Sequence, residues 1–187
     1  MNNTFFKDFL KDVLNDVKTE LMDEFDRNFE RKVFFDKPWN EKTKFPNKRG
    51  SLMMRTGKLR RSLRARVSGN AISFTSSMPY AAIHNEGGTI TVTAKMKRYF
   101  WAMYRQAAGA ITYSVKNKAM ANTKRNTALT AEAERFKAMA LKPVGSKIKI
   151  EQRQFIGHHP QVDTIVKTVV DANMREIEKQ ITSKFKK

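Results

Sequence analysis

The chain has 187 residues, 40% of them hydrophobic, with eight glycines, five prolines, no cysteine and a formal charge of +19. That length supports one ordinary core, and the composition excludes global disorder and fibrous repeats. The lack of cysteine excludes a disulfide framework, thiolate metal sites and cysteine catalysis, and suits a reducing cytoplasm. No apolar run reaches the roughly 20 residues that span a bilayer. The N-terminus also carries acids where a signal peptide would be apolar, so a protein neither exported nor membrane-spanning is expected. The charge is unevenly placed: residues 42–66 hold ten Lys/Arg and no acid, residues 94–149 hold thirteen against Glu132 and Glu134, and the rest nets −2. Such segments attract polyanions, whether nucleic acid or acidic protein.

Residues 4–31 place Phe5, Phe9, Val13, Val17, Leu21, Phe25 and Phe29 at four-residue steps, predicting an amphipathic helix. Such a stripe drifts about 40° per step, and the helix would be about 40 Å long, so it is expected to bend over its core or to meet a second chain. A loop over 32–51 follows, in which Phe35 and Trp39 are expected to be buried as plugs beside Pro38. Thr56 is read as the N-cap of a short basic helix with Leu59 and Leu63 on one face and Arg60, Arg61, Arg64 and Arg66 largely elsewhere. Residues 64–67, the turn Ser68-Gly69-Asn70 and residues 71–75, with Ile72 and Phe74 alternating, predict a hairpin or a helix-strand-strand passage.

Residues 79–86, with Tyr80, Ala81 and Ile83, predict a short helix that Gly87 and Gly88 stop, at least one of them at positive φ, before a β-branched strand over 89–93. Residues 95–141 are helix-compatible, broken at Gly109, and carry the cluster Tyr99, Phe100, Trp101 and Tyr104. Their lysine-rich stretch 116–125 is expected to be mobile until it meets an acidic partner. Ile148, Ile150, Gln152 and Gln154 alternate as a returning strand, residues 157–160 turn, and a second amphipathic helix runs from Val162 to the basic tail 184–187.

Little in this pattern suggests chemistry. His84 and Glu86 occur as H-N-E rather than H-E-x-x-H, and the adjacent His158 and His159 point apart in most backbones, so all three are read as turn or surface histidines. Gly87-Gly88 lacks the G-K-[ST] of a phosphate cradle, and the carboxylates are spread along helix faces. No catalytic residue, metal site or cofactor is therefore assigned. The aromatics near Trp101 beside Lys95, Lys97, Arg98 and Arg105 suit base stacking, although Met96, Phe100 and Tyr104 at helical spacing suit a buried stripe better. Residues 58–66 fit either DNA or the acids of a neighbouring subunit.

Four motifs in order carry a resemblance: F-F-D-K-P-W (34–39), L-M-M-R-T-G-K-L-R-R-S-L (52–63), P-Y-A-A-I-H-N-E-G-G (79–88) and R-Q-F-I-G (153–157). Together they resemble the phage virion morphogenesis family, which includes tail-completion proteins of Mu-like and related tailed bacteriophages. The resemblance runs over about 29–171 and lapses through about 94–149. The family pattern T-G-x-L-x-x-S-L falls on Thr56, Gly57, Leu59, Ser62 and Leu63; Y-A-x-x-H-x-x-G on Tyr80, Ala81, His84 and Gly87; R-x-F-[IL]-G on Arg153, Phe155, Ile156 and Gly157. It implies a small α+β fold, ring assembly, and a structural place in the phage neck or tail end without catalysis.

The expectation is one α+β domain over 1–187: a small antiparallel sheet, a long N-terminal helix, a basic helical insertion at about 94–149 and a C-terminal helix. Its subunits would form a homo-oligomeric ring through the terminal helices and the sheet periphery. Partners would be other phage neck, connector or tail proteins, in the host cytoplasm during assembly and then in the virion, with no membrane and no cofactor. Trp39, Thr56, Gly57, Leu59, Leu63, Tyr80, His84, Gly87, Gly88, Phe155 and Gly157 are the structural motif residues. Arg60, Arg61, Arg64, Arg66, Lys116, Lys118, Lys124 and Arg125 are the candidate contacts to an acidic partner or to packaged DNA. The alternative is a basic nucleic-acid-binding protein that uses 42–66 and 95–149.

Overall fold

The computed structural model describes residues 3–40, 52–116 and 118–185. Most of the loop expected over 32–51, with its basic residues, and the end of the basic tail lie outside the described residues. The chain forms two compact units, Met1–Gly88 with Glu151–Lys187, and Thr89–Ile150.

In the first unit, helix α1 (Asn3–Arg31) buries Val13, Val17, Leu21, Phe25 and Phe29, the later members of its stripe. Helix α6 (Pro160–Phe185) lays Val162, Ile165, Val166 and Val169 against the same cluster, so the terminal helices pack on each other within one chain. The N-terminal end of the stripe stays uncovered, with Phe5, Phe6 and Leu10 exposed. After α1 the chain turns through a minimal hairpin, β1 (Val33–Phe34) and β2 (Lys37–Pro38). Phe35 sits there at φ 56, and its N–H donates to the Oδ1 of the fully buried Asn28 at 3.1 Å. That bond satisfies a buried backbone donor in a left-handed residue, which pins Phe34, Phe35 and Trp39 inward. All three are buried, as their apolar rings beside Pro38 predict.

Helix α2 is only Lys58–Arg61. Thr56 does not cap it: Gly57, at φ 67, holds the N-cap position with no side-chain bond. Leu63 and Arg64 already belong to strand β3 (Leu63–Ser68), which pairs antiparallel with β4 (Ala71–Ser76), so the four arginines do not share a helix. Leu59 and Leu63 still reach one cluster, with Phe29, Trp39, Ala81 and Phe155. Helix α3 (Ala81–Glu86) ends at Gly87, φ 74, followed by Gly88 at φ 142, so both glycines are at positive φ.

In the second unit, strand β5 (Gly88–Thr91) leads to α4 (Ala94–Gly109), hairpin β6 (Tyr113–Ser114) and β7 (Ala119–Met120), α5 (Lys124–Leu141), and β8 (Lys147–Ile150), which pairs with β5. Thr93 and Thr123 cap the two helices, accepting from Met96 N and Asn126 N. Ala107, Ala133 and Ala140 are buried, small enough for close helix approach, and Phe100 stacks on Phe136 at 6.4 Å. Phe100 is half-buried there, and so are Met96 and Tyr104, so the stripe expected from their spacing is only partly buried. The returning strand stops at Ile150, before Gln152 and Gln154.

The fold is α+β, with long terminal helices and small sheets. The expected single sheet is, among the described residues, four separate two-stranded pairs. The strands are only two to six residues long.

Candidate functional site

The motif residues of the first unit meet around the loop from Glu151 to Ile156. The Trp39 indole N–H donates to the Gln154 carbonyl at 2.6 Å, and its ring stands edge-on to Phe29, which in turn packs on Phe155 at 5.1 Å. Asn85 Oδ1 accepts from Phe155 N at 3.0 Å and Ile156 N at 3.1 Å, while Arg153 N donates to the His84 carbonyl at 2.7 Å. The buried Arg153 guanidinium donates to the Asn40 carbonyl and to Glu151. The first and third motifs of the sequence thus serve as anchors for the fourth. Gly87 lies against this loop: a Cβ there would stand 3.0 Å from Gln152 N, so both its φ and its neighbour demand glycine. Gly88 opens β5, Gly157 lies in the turn before α6, and Tyr80 is the exposed N-cap of α3, its ring edge-on to His84.

His84 is half-buried and its Nδ1 has no hydrogen-bond partner; burial, then the charge of Arg153, lowers its pKa. His159 departs from the surface reading. It is buried, stacks on Phe35 at 4.7 Å, and its Nε2 is 2.8 Å from Asp36 Oδ1. His158 is exposed, 3.9 Å from Asp163. Among the described residues no three His, Asp or Glu side chains gather as metal ligands.

The basic candidates divide by what they touch. Arg60 is committed within the chain: its guanidinium pairs with Asp26 in a two-pronged contact and with Glu30 at 2.7 Å, and these hydrogen bonds raise its pKa. An open depression lined by Met54, Thr56, Gly57, Arg60 and Arg61 therefore carries less free charge than its two arginines suggest. Arg61 donates to the Thr56 carbonyl, and Arg64 to the carbonyls of Arg61 and Leu63. Arg64 and Arg66 project from the outer face of β3, opposite Thr75 and Ser73 of β4. In the second unit Lys116, Lys118, Lys124 and Arg125 are all exposed at or beside the β6–β7 hairpin. Asn126, fully buried, donates to the carbonyls of Thr112 and Ala121, both at 2.7 Å, tying the two ends of the hairpin together.

Residues 9–175 match the phage virion morphogenesis family. The chain belongs to this family. Comparison with curated proteins and with solved structures finds no match. Membership makes this a bacteriophage virion-assembly protein, associated with the virion, and it suggests a structural rather than a catalytic role. The matched span takes in most of α1, encloses the second unit, and ends within α6. No described helix is long and apolar enough to cross a membrane.

Sequence reasoning missed the residues that organise these clusters: Asn28, Asn85, Asn126 and Gln154. Asn85 stood inside a quoted motif, yet nothing in H-N-E marks its amide as an acceptor for a chain segment 70 residues away.

Proposed function

We propose that this member of the virion morphogenesis family is a structural subunit of the neck or tail end of a tailed phage, which completes the tail and joins it to the head as part of an oligomeric ring. The observation that supports this reading is the use of its motif residues. Trp39, Leu59, Leu63 and Phe155 are buried in packing, and Gly57 and Gly87 set the backbone, so the motifs build a scaffold. The surface left for recognition is charged: thirteen Lys/Arg against two acids in the second unit. Its partners on this reading are further copies of itself and neighbouring neck, connector or tail proteins.

The test is to image particles assembled without the protein. Filled heads and separate tails, rejoined by added wild-type protein, are expected; normally joined particles would sink the reading. A second reading, nucleic-acid binding, is favoured by the outer face of β3, where Arg64 and Arg66 stand beside Thr75 and Ser73 with no acid in the pairing. Duplex affinity falling with a slope near −0.9 per neutralised phosphate in log salt would favour it.

A further inference from the structure

Among the described residues, the strongest unexplained surface is the β6–β7 hairpin of the second unit. Tyr113 is 72% exposed, Val115 94% and Met120 42%, with Lys116, Lys118, Lys124 and Arg125 around them. Residues 106–131 contain no acid at all. Helix α5 opens on Lys124 and Arg125 with no acid in its first turn, so two cations stand where the positive end of the helix dipole already lies. That arrangement works against the helix itself. The tip is also built to hold its shape: besides its two donated bonds, Asn126 accepts from Thr112 N at 3.1 Å, so a buried amide uses both its ends to fix an exposed hairpin. Apolar side chains held in water among cations imply an occupant that covers both.

The matching chemistry is on the same chain. At about 100° per residue, Asp8, Asp12, Asp16, Glu20 and Asp23 of α1 fall within about 120° of one another, while Lys7, Lys11 and Lys18 gather on the opposite flank. The later acids of α1 are consumed internally, Glu24 by Arg27 and Arg31, and Asp26 and Glu30 by Arg60. Asp8, Asp12, Glu20 and Asp23 are exposed and make no ion pair with a described residue, and the exposed Phe5 lies on their flank with Phe6 next to it. This surface combines exposed apolar rings with free negative charge, the converse of the hairpin tip.

We propose that the β6–β7 tip of one copy docks on the acidic flank of α1 in a second copy. The contact is head-to-tail, because different surfaces meet, and a head-to-tail contact repeats into a closed ring when its rotation allows. It rests on the reading of the protein as an assembling virion component and names the surfaces that would join. Duplex DNA is the competing occupant of the tip. Phosphates, however, offer nothing in return for covering Tyr113, Val115 and Met120, whereas a flank with Phe5 and Phe6 does.

The experiment uses the full chain in sedimentation velocity. A tip variant carries Lys116→Glu, Lys118→Glu and Lys124→Glu; a flank variant carries Asp8→Lys, Asp12→Lys and Glu20→Lys. Wild type is expected to form oligomers that shrink as salt rises. Each variant alone should run as a monomer, and an equimolar mixture should regain the oligomer, because each reversed surface then meets its complement. If circular dichroism shows either variant unfolded, the milder Lys116→Gln, Lys118→Gln, Lys124→Gln set decides, with self-association expected to weaken at least about tenfold. The proposal is overturned by variants that assemble like wild type, by a mixture of folded variants that stays monomeric, by a wild type monomeric at every concentration, or by a tip variant that loses only duplex binding. Joining of heads to tails is scored separately on particles, so loss of this contact and loss of the proposed function are told apart.

Discussion

Trp39 and Gln154, 115 positions apart, are joined by an indole N–H donating to a backbone carbonyl at 2.6 Å, and this bond closes the loop after α1 onto the segment that leads into α6. The ring is buried against Phe29, so it contributes both apolar area and a satisfied donor. Trp39→Ala is expected to cost about 3–5 kcal/mol. Trp39→Phe keeps most of the area but strands the carbonyl and should cost about 1–2 kcal/mol. Urea unfolding of the two variants checks the order; a Trp39→Phe protein as stable as wild type would show that the hydrogen bond contributes nothing, and equal losses would show the same of the ring's apolar area.

Gly87 and Gly69 separate two penalties. Both lie at positive φ, but a Cβ at Gly69 meets open space while one at Gly87 meets the Gln152 backbone at 3.0 Å. Gly69→Ala should therefore cost about 1 kcal/mol, the strain of the left-handed conformation. Gly87→Ala should cost more, about 2–3 kcal/mol, because a backbone segment must also move. Thermal melts of both proteins measure the difference.

His84 predicts a pH dependence. Its pKa in the folded chain is lowered from 6.5, chiefly by burial and further by Arg153. As pH falls through 6.5, the unfolded chain binds a proton that the folded chain does not, so stability declines and levels off only below the folded-state pKa. His84→Gln removes that difference. Its melting temperature should fall less than that of wild type between pH 8 and pH 5, and parallel curves would refute the assignment.

Asn126 predicts a local effect. Asn126→Ala removes the donors to the Thr112 and Ala121 carbonyls and the acceptor for Thr112 N, a loss of about 2 kcal/mol or more. Amide hydrogen exchange should quicken across 112–121 in the second unit while the amides of α1 around Val17 and Leu21 keep their protection. Uniform change in both units would show that Asn126 supports more than its hairpin.

The features legible in the sequence are those that depend on near neighbours. The apolar stripe of α1, the Ser68-Gly69-Asn70 hairpin turn, the positive φ after α3 and the acid-free runs of charge are all periodicities or local conformational demands, readable without knowing what lies across the fold. The tertiary structure decided where each polar group finds its partner. Arg60 looked like one of four equivalent arginines until Asp26 and Glu30, on a helix some 30 residues earlier, paired with it. His159 looked like a surface residue until Phe35 stacked on it, and Thr56 like a cap until Gly57 took that position in a left-handed conformation. The physical reason is one of range: a hydrophobic pattern states which face must leave water, but a hydrogen bond or ion pair needs a partner within about 3 Å, and only the packing of distant segments supplies it.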